Sequence, residues 1–214
     1  ILVKLLGIEA KTVHDEIRTV FAKKWEEVIA HNISVVDTIY SSYELGVTSP
    51  WKLTVVGAKR EFTYGNKIIA LGAVDSDLEY YSAYPMTPAS SVLTEIIASG
   101  KVPYLQAEDE IAVMNSALGA AFTGARAMVG TSGGGFALMT EWLSFAAQAE
   151  FPIVALLSQR AGPSTGTPTF HEQGEIRYAL VPTFGEFGHV VLCPSTFEEA
   201  YLFAGLALNI AQRY

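Results

Sequence analysis

The chain has 214 residues, of which 50% are hydrophobic and 17% charged, and its formal net charge is −8. An acidic chain lacks the basic face that a phosphate backbone requires, so we expect no nucleic-acid partner. No apolar run reaches the roughly 18 residues of a spanning helix and no signal peptide is visible, so we expect no membrane partner and a cytoplasmic location.

The charged fraction lies below the usual share of about 25%, which predicts that another subunit covers some apolar surface. The single cysteine, Cys193, excludes a disulfide within the chain. An iron–sulfur cluster needs about four thiolates, so this chain alone cannot hold one. The four histidines are far apart and show no metal-ligand spacing. The chain begins at Ile1 and its last helical pattern is unfinished, which is typical of part of a longer polypeptide.

Residues 1–44 show a helical pattern, with apolar residues at helix spacing from Val13 to Tyr43 and Thr12 as a candidate N-cap. We interpret this apolar stripe as a packing surface. The periodicity weakens through residues 45–64, which contain glycine and proline and are interpreted as a linker.

From residue 65 onward, helical and strand patterns alternate. Strands are predicted at 79–83, 102–106, 126–131, 152–158 and 189–193. Helices are predicted at 65–74, 89–99, 108–124, 135–148, 171–179 and 196–213. Such alternation requires crossover connections, so residues 65–214 are predicted to form an α/β domain with a largely parallel sheet between two layers of helices.

The first candidate motif is Tyr84-Pro-Met-Thr-Pro-Ala-Ser90, which follows the first predicted strand. Its two prolines restrict the backbone around Thr87 and are predicted to hold the threonine hydroxyl outward. Open α/β sheets bind ligands at the carboxyl ends of their strands. The motif therefore indicates either a positioned hydroxyl or an ordinary strand-to-helix turn.

The second motif is Glu108-Asp-Glu110, at the start of a very apolar helix. Glu108 and Asp109 are explained by the positive end of the helix dipole. Apolar residues follow Glu110 at once, so its carboxyl is predicted to be partly desolvated. Desolvation raises the pKa of a carboxyl and a helix N-terminus lowers it, and the sequence leaves both outcomes open.

The third motif, Gly130-Thr-Ser-Gly-Gly-Gly-Phe136, joins a strand to a helix. Its glycines permit close approach of a ligand and expose amides at a helix N-terminus. It matches neither the dinucleotide fingerprint nor the P-loop. We interpret it either as an anion cradle or as a tight turn.

The fourth candidate is Arg160, which follows the next strand and precedes a loop rich in Gly, Pro, Ser and Thr. A guanidinium can grip a carboxylate through two parallel hydrogen bonds. The alternative is a surface arginine that pairs with Glu150 or Glu172. Because all four candidates follow successive strands of a parallel sheet, we expect them along one edge of it.

The four motifs, in this order, resemble the 2-oxoacid:ferredoxin oxidoreductase family, specifically the thiamine-diphosphate pyrimidine-binding domain of its α subunit. The segments that carry the resemblance are Tyr84–Ser90, Glu108–Ala112, Gly124–Glu141 and Gln159–Gly166. The likeness runs from about residue 65 to the C-terminus. Residues 1–44 resemble the end of a γ-type domain fused ahead of the α domain.

The resemblance implies roles for the matching residues. Glu110 matches the glutamate that hydrogen-bonds the aminopyrimidine ring of thiamine diphosphate and assists removal of the cofactor's C2 proton. Thr87 and Arg160 match residues that hold the carboxylate of the 2-oxoacid. The remaining residues implied to line the cofactor cleft are Tyr84, Pro85, Thr131, Ser132 and Gly133.

The chain also departs from the family pattern. Met86 stands where other members often have isoleucine, and Gly133-Gly-Gly135 where they often have Gly-Pro-Gly; neither change touches a reacting group. The Gly-Asp-Gly motif that holds diphosphate and Mg²⁺ in thiamine enzymes is absent from the chain. The resemblance therefore implies half an active site, with Mg²⁺, the diphosphate half and a [4Fe–4S] cluster on a β subunit.

The implied reaction is oxidative decarboxylation of a 2-oxoacid to an acyl-CoA and CO₂, with ferredoxin as electron acceptor and coenzyme A as acyl acceptor. The implied assembly is a dimer of heteromers. Pyruvate, 2-oxoglutarate, branched oxoacids, indolepyruvate and oxalate all stay open as substrates. The alternative is a non-catalytic α/β module or scaffold that binds an anion at the glycine turn.

Overall fold

The computed structural model describes residues 1–42, 44, 46 and 62–213. The chain divides into two compact units, Ile1–Glu61 and Phe62–Tyr214. Most of the predicted linker, 45–64, lies outside the described residues, and the predicted boundaries beside it stay predictions. Every helix among the described residues is too short or too polar to span a bilayer.

The first unit is helical in its described part, as the sequence predicts. Its helices are α1 (Leu2–Leu5), α2 (Ala10–Val20) and α3 (Glu26–Ser42). The Nζ atom of Lys4 donates hydrogen bonds of 3.0 Å to the carbonyl oxygens of Ile39 and Tyr40, which ties α1 to the end of α3.

Two predictions for this unit need correction. The N-cap position of α2 is held by Glu9 and not by Thr12, whose backbone N–H instead donates to the Glu9 carbonyl at 3.1 Å. The predicted apolar stripe is not buried as a whole: Ile29 is buried, whereas Trp25 is 81% exposed. Helical periodicity shows which side chains share a face, but it does not show what covers that face.

The second unit alternates helices and strands. Its helices are α4 (Gly65–Asp75), α5 (Ser90–Ser99), α6 (Glu110–Phe122), α7 (Gly133–Ala149), α8 (Ile176–Leu180) and α9 (Phe197–Ala211). Its strands are β1 (Tyr80–Ala83), β2 (Tyr104–Gln106), β3 (Ala127–Thr131) and β4 (Ile153–Leu157). The predicted α/β class is confirmed.

Within the described residues, the strands form one parallel sheet in the order β2-β1-β3-β4. In the register, Ala83 lies beside Gly130 and Thr131 beside Leu157, so the strand ends that carry the candidate motifs share one edge. The predicted convergence of the strand ends is therefore present in the fold.

A separate apolar core covers each face of the sheet, which gives the three-layer architecture predicted from the sequence. On one face, α4, α5 and α9 pack on side chains that include Tyr81 and Met128. On the other face, α6 and α7 pack on Ala127 and Val129. Strand β3 is buried along its whole length, because helices cover both of its faces and strands flank both of its edges.

The predicted strand at 189–193 is wrong, since the structure has no strand there and Val190 is 61% exposed. A short apolar run matches a buried strand in composition, but a strand exists only where a neighbour supplies backbone partners. The predicted helix at 171–179 is also too long at its start, because α8 begins only at Ile176.

Helices α4 and α9 approach each other closely through glycine. A Cβ on Gly72 would lie 2.9 Å from the carbonyl carbon and from the Cα of Tyr201 in α9. Gly205 of α9 similarly faces Ser76, just after α4. The absent side chains let the two backbones meet, and the pair closes one face of the sheet.

Candidate functional site

Helix α4 holds the turn after β1 from one side. The side-chain amide of Asn66, in the first turn of α4, donates to the Pro88 carbonyl at 2.8 Å and to the Ser91 hydroxyl at 2.7 Å. Thr87 is exposed and precedes a cis peptide bond to Pro88. Tyr84 and Pro85, two of the predicted cofactor residues, are exposed at the start of the same turn.

Arg160 crosses from the end of β4 to this turn. Its Nη1 donates to the backbone carbonyl of Thr87 at 2.5 Å, and the residue is only 8% exposed. The alternative ion pair with Glu150 or Glu172 is absent from the described residues. The structure therefore brings the two predicted substrate residues together, through the backbone of Thr87 and not its hydroxyl.

Glu110 is the first residue of α6 and is 3% exposed. The helix is capped by the preceding Asp109, whose Oδ1 accepts from the Ala112 N–H at 2.7 Å; the sequence explained this residue by the helix dipole alone. The Oε1 atom of Glu110 is buried and has no hydrogen-bond partner among the described residues. The predicted desolvation of this carboxyl is confirmed.

Burial disfavours the charged form of the Glu110 carboxyl. Desolvation raises the pKa of its carboxyl above the ordinary value of 4.5, and the nearby Asp109 carboxylate acts in the same direction. Its backbone hydrogen bond opposes this rise without cancelling it. The protonated form is therefore favoured more than in an exposed glutamate, and in that form the carboxyl can donate a hydrogen bond as well as accept one.

The glycine turn packs directly against this acid. A Cβ on Gly135 would collide with Glu110 Oε1 and with Thr131 Oγ1, so any larger residue would have to displace these side chains. Thr131 and Ser132 are fully buried, and the Ser132 hydroxyl has no partner among the described residues. Unpartnered buried polar atoms are rare in folded proteins, so the two beside this turn, Glu110 Oε1 and Ser132 Oγ, indicate a ligand site.

The two parts of the site meet at consecutive residues of the turn after β1. Met86 contacts the glycine turn, with its sulfur 4.0 Å from Thr131 Oγ1. The next residue, Thr87, accepts the Arg160 hydrogen bond. The turn after β1 thus contacts both the glycine turn and the buried guanidinium, which brings the ends of β1, β3 and β4 together.

Two residues of this region are missing from the sequence predictions. Glu175 lies against Gly133, on which a Cβ would be 2.7 Å from Glu175 Oε1. Tyr81 lies under Gly130, and its buried hydroxyl has no partner among the described residues; burial raises the pKa of this phenol. The glycines themselves were the available signal, because a glycine in a regular element often marks close approach by another group.

No cluster of His, Cys, Asp or Glu suited to a metal ion occurs within the described ranges. The aminopyrimidine ring that the resemblance implies carries nitrogen atoms that can hydrogen-bond a carboxyl group. The buried Oε1 of Glu110, which has no partner among the described residues, is available for such a contact.

Comparisons with known proteins identify the family. The sequence model described as pyruvate flavodoxin/ferredoxin oxidoreductase, thiamine-diphosphate-binding, matches residues 71–214. The α subunit of 2-oxoacid:ferredoxin oxidoreductase 1 from Aeropyrum pernix is 42% identical over 70% of this chain and 25% of its own length. The corresponding subunit from Sulfurisphaera tokodaii is 34% identical over 99% of this chain and 35% of its own length.

Two further relatives are named for 2-oxoglutarate. The 2-oxoglutarate synthase subunit KorA of Methanocaldococcus jannaschii is 38% identical over 73% of this chain and 43% of its length. The structure of 2-oxoglutarate:ferredoxin oxidoreductase from Magnetococcus marinus, solved with 2-oxoglutarate, coenzyme A and succinyl-CoA bound, superposes with a TM-score of 0.73 at 32% identity. It covers 98% of this chain and 38% of the other.

The chain spans from 25% to 43% of the length of these relatives. Its α/β fold with a parallel sheet agrees with the structural match. The chain belongs to the pyruvate flavodoxin/ferredoxin oxidoreductase family and comprises the thiamine-diphosphate-binding domain of that family.

Proposed function

We propose that this chain forms the pyrimidine half of a thiamine-diphosphate site in a 2-oxoacid:ferredoxin oxidoreductase. The reaction is the oxidative decarboxylation of a 2-oxoacid to an acyl-CoA and CO₂, with the electrons passed to ferredoxin. One observation supports it most: Glu110, at the strand-end edge of a domain that matches a thiamine-diphosphate-binding family, is a buried acid whose Oε1 has no partner among the described residues.

Glu110 is the proposed catalytic residue. With its pKa raised by burial, the carboxyl holds a proton at neutral pH more readily than an exposed glutamate does. It can then donate a hydrogen bond to a ring nitrogen of the aminopyrimidine. Bound thiamine diphosphate supplies the carbon nucleophile and the electron sink that decarboxylation of a 2-oxoacid requires.

The glycine turn shapes the pocket around this acid. Thr131, Ser132 and Gly133 are the proposed lining, together with Tyr84 and Pro85 from the turn after β1. Ser132 contributes a buried hydroxyl without a partner among the described residues, which is available to a polar group of the ring. Gly135 keeps the space beside Glu110 clear of side-chain atoms.

Arg160 and Thr87 are the proposed contacts to the substrate carboxylate. A guanidinium carries five N–H donors in a planar fork, and the Thr87 carbonyl uses one of the two on Nη1. That contact fixes the fork at the edge of the sheet, so a carboxylate can meet donors that are already oriented. The exposed Thr87 side chain adds a hydroxyl at the same place.

The proposed partner is a β subunit that carries the diphosphate and Mg²⁺ half of the site and a [4Fe–4S] cluster, in a dimer of heteromers. Two features support a partner: the chain lacks a Gly-Asp-Gly motif, and relatives at 34–42% identity are named as α subunits. The alternative role as an anion-binding scaffold has less support, because Glu175 already covers the first turn of the glycine segment.

The test is dye or ferredoxin reduction by the full-length protein reconstituted with its β subunit, thiamine diphosphate, Mg²⁺ and coenzyme A. The panel contains 2-oxoglutarate, pyruvate, a branched oxoacid, indolepyruvate and oxalate. We expect reduction that depends on coenzyme A with at least one of the oxoacids, and none without the β subunit. A loaded complex that reduces the acceptor with none of the five would contradict the proposal.

A further inference from the structure

The turn after β1 is anchored at two adjacent carbonyl groups. The Thr87 carbonyl accepts from Arg160 Nη1 at 2.5 Å, shortly after the end of β4. The next carbonyl, that of Pro88, accepts from the side-chain amide of Asn66 at 2.8 Å, in the first turn of α4. The side chain of Thr87 is exposed and takes part in neither bond. The two anchors therefore fix the backbone of Thr87 and leave its hydroxyl accessible to a ligand.

Asn66 connects this turn to the apolar core. A side-chain amide carries two N–H donors, and the Asn66 amide also donates to the Ser91 hydroxyl at 2.7 Å, in the first turn of α5. Helices α4 and α5 both contribute to one apolar core, with side chains that include Ala70 and Val92. Asn66 thus holds the turn from a position that two packed helices fix.

The hydrogen bond from Arg160 does not orient this turn by itself, because such a bond fixes one partner only when the other is held independently. The proposed function requires both the guanidinium and the Thr87 hydroxyl to meet the substrate carboxylate. Asn66 supplies the independent anchor, since its bond to Pro88 involves no group that is proposed to touch the substrate. Groups that are held in advance bind a ligand without the cost of ordering them.

We propose that Asn66 is a positioning residue for the contact with the substrate carboxylate. It holds the Pro88 carbonyl, and through the adjoining peptide it orients the Thr87 hydroxyl and the Thr87 carbonyl that fixes Arg160. The inference rests on the proposed function and adds to it a residue that acts on the substrate only through others.

The experiment measures the KM for the oxoacid in the full-length protein assembled with its β subunit. Asn66→Asp keeps the size of the side chain and can still accept from the Ser91 hydroxyl, but a carboxylate has no N–H for the Pro88 carbonyl. An acid in the first turn of a helix is favourable, so α4 is not weakened. We expect the KM to rise about three- to tenfold, the equivalent of one lost hydrogen bond, with kcat and the KM for coenzyme A unchanged.

Three further variants isolate the bond to Pro88. Asn66→Ala removes the donor without adding a charge, and it should raise the KM by a similar factor. Ser91→Ala removes the acceptor on α5 but leaves the bond to Pro88, and it should keep the KM of the unmodified protein. Asn115→Ala is the matched control, because this exposed amide donates to the Ile111 carbonyl of its own helix at 2.9 Å; its KM should also stay the same.

A double-mutant cycle tests whether Asn66 acts through Thr87. Thr87→Val removes the hydroxyl and keeps the shape of the side chain. If Asn66 positions this residue, Asn66→Ala combined with Thr87→Val should raise the KM by less than the product of the two separate factors. Independent effects, including a general loss of packing, would multiply instead.

An unchanged KM in Asn66→Ala would overturn the inference, because a rise in Asn66→Asp alone would then reflect charge repulsion. An equal rise in Ser91→Ala would also overturn it, and so would separate factors that multiply in the double variant. Failure of the proposed function looks different: the unmodified complex would reduce the acceptor with none of the five oxoacids, and Asn66 would have no substrate contact to position.

Discussion

Two parts of the second unit use glycine for close approach, and they differ in what the glycine meets. Between α4 and α9, Gly72 faces the backbone of Tyr201, and apolar side chains bury the contact. At the start of α7, Gly135 faces Thr131 and the unpartnered carboxyl oxygen of Glu110. A glycine against satisfied backbone indicates packing, whereas a glycine against orphaned polar atoms indicates a site.

The comparison predicts its largest effect on stability at the helix pair. Gly72→Ala places a methyl group into the Tyr201 backbone, which cannot rotate away as a side chain could. We expect a loss of about 3 kcal/mol in the free energy of unfolding, the upper part of the range for overpacking. Chemical denaturation of the full-length protein measures it.

Gly119→Ala is the matched control, since Gly119 is in α6, is exposed, and an added Cβ there would meet no atoms within 4 Å. It should stabilise the protein by roughly 0.5–1 kcal/mol through helix propensity alone. Equal effects of the two substitutions would remove the distinction between a close contact and an open one.

At the site, the same substitution should affect activity more than folding. Gly135→Ala displaces the Glu110 carboxyl, and a misplacement of about 1 Å at a reacting group costs on the order of 10²-fold in rate. Gly134→Ala, whose added Cβ meets nothing within 4 Å, should keep the activity. Steady-state dye reduction compares the two, and a Gly135→Ala enzyme as active as Gly134→Ala would contradict the site.

Substitution of Arg160 tests the proposed contact with the substrate carboxylate. Arg160→Ala should raise the KM for the oxoacid by an amount worth roughly 1.5–3 kcal/mol, the scale of hydrogen bonds to a charged group. Arg160→Lys keeps the charge but loses the fork and should give an intermediate KM. Arg177→Ala removes an exposed arginine of α8 as the control. An unchanged KM in Arg160→Ala would exclude this residue from substrate binding.

The smallest predicted effect is the pH dependence of the stability difference between Glu110→Gln and the unmodified protein. In the folded protein the pKa of Glu110 is raised above its ordinary value of 4.5. The stability that the protonated carboxyl contributes is therefore fully present at a pH below the ordinary pKa and is lost as the pH rises through the folded pKa. Glu110→Gln cannot ionise. Its stability relative to the unmodified protein should therefore increase from about pH 5 to about pH 8. The expected gain is about 1 kcal/mol, a common size for one substitution.

Unfolding curves across that pH range supply the measurement, with Glu108→Gln as the exposed control, whose stability difference should stay flat. A stability of Glu110→Gln that falls relative to that of the unmodified protein as the pH rises would have the wrong sign for a buried acid with a raised pKa.

Much of the site was predictable because parallel strands order their own ends. Once the strands near Ala83 and Thr131 are placed, topology alone brings the motifs after them to one edge. The burial of Glu110 was also predictable, since an acid that leads directly into an apolar helix is drawn toward the core with that helix.

The remaining features depend on contacts between distant segments. The sequence identified Arg160 and Thr87, but it could not show that the guanidinium meets a backbone carbonyl. Glu175 was missed because the predicted helix at 171–179 placed it mid-helix, whereas α8 begins one residue later and leaves its carboxyl beside Gly133. The strand prediction at 189–193 was wrong because composition does not specify a pairing partner.

The most direct test of the central claim is the rate of hydrogen–deuterium exchange at C2 of thiamine diphosphate bound to the full complex, with and without Glu110→Gln. If the buried acid assists that proton transfer, the substitution should slow exchange by about 10²-fold or more, the usual contribution of a general acid or base, while the cofactor stays bound. Exchange at the same rate in both complexes would contradict the account.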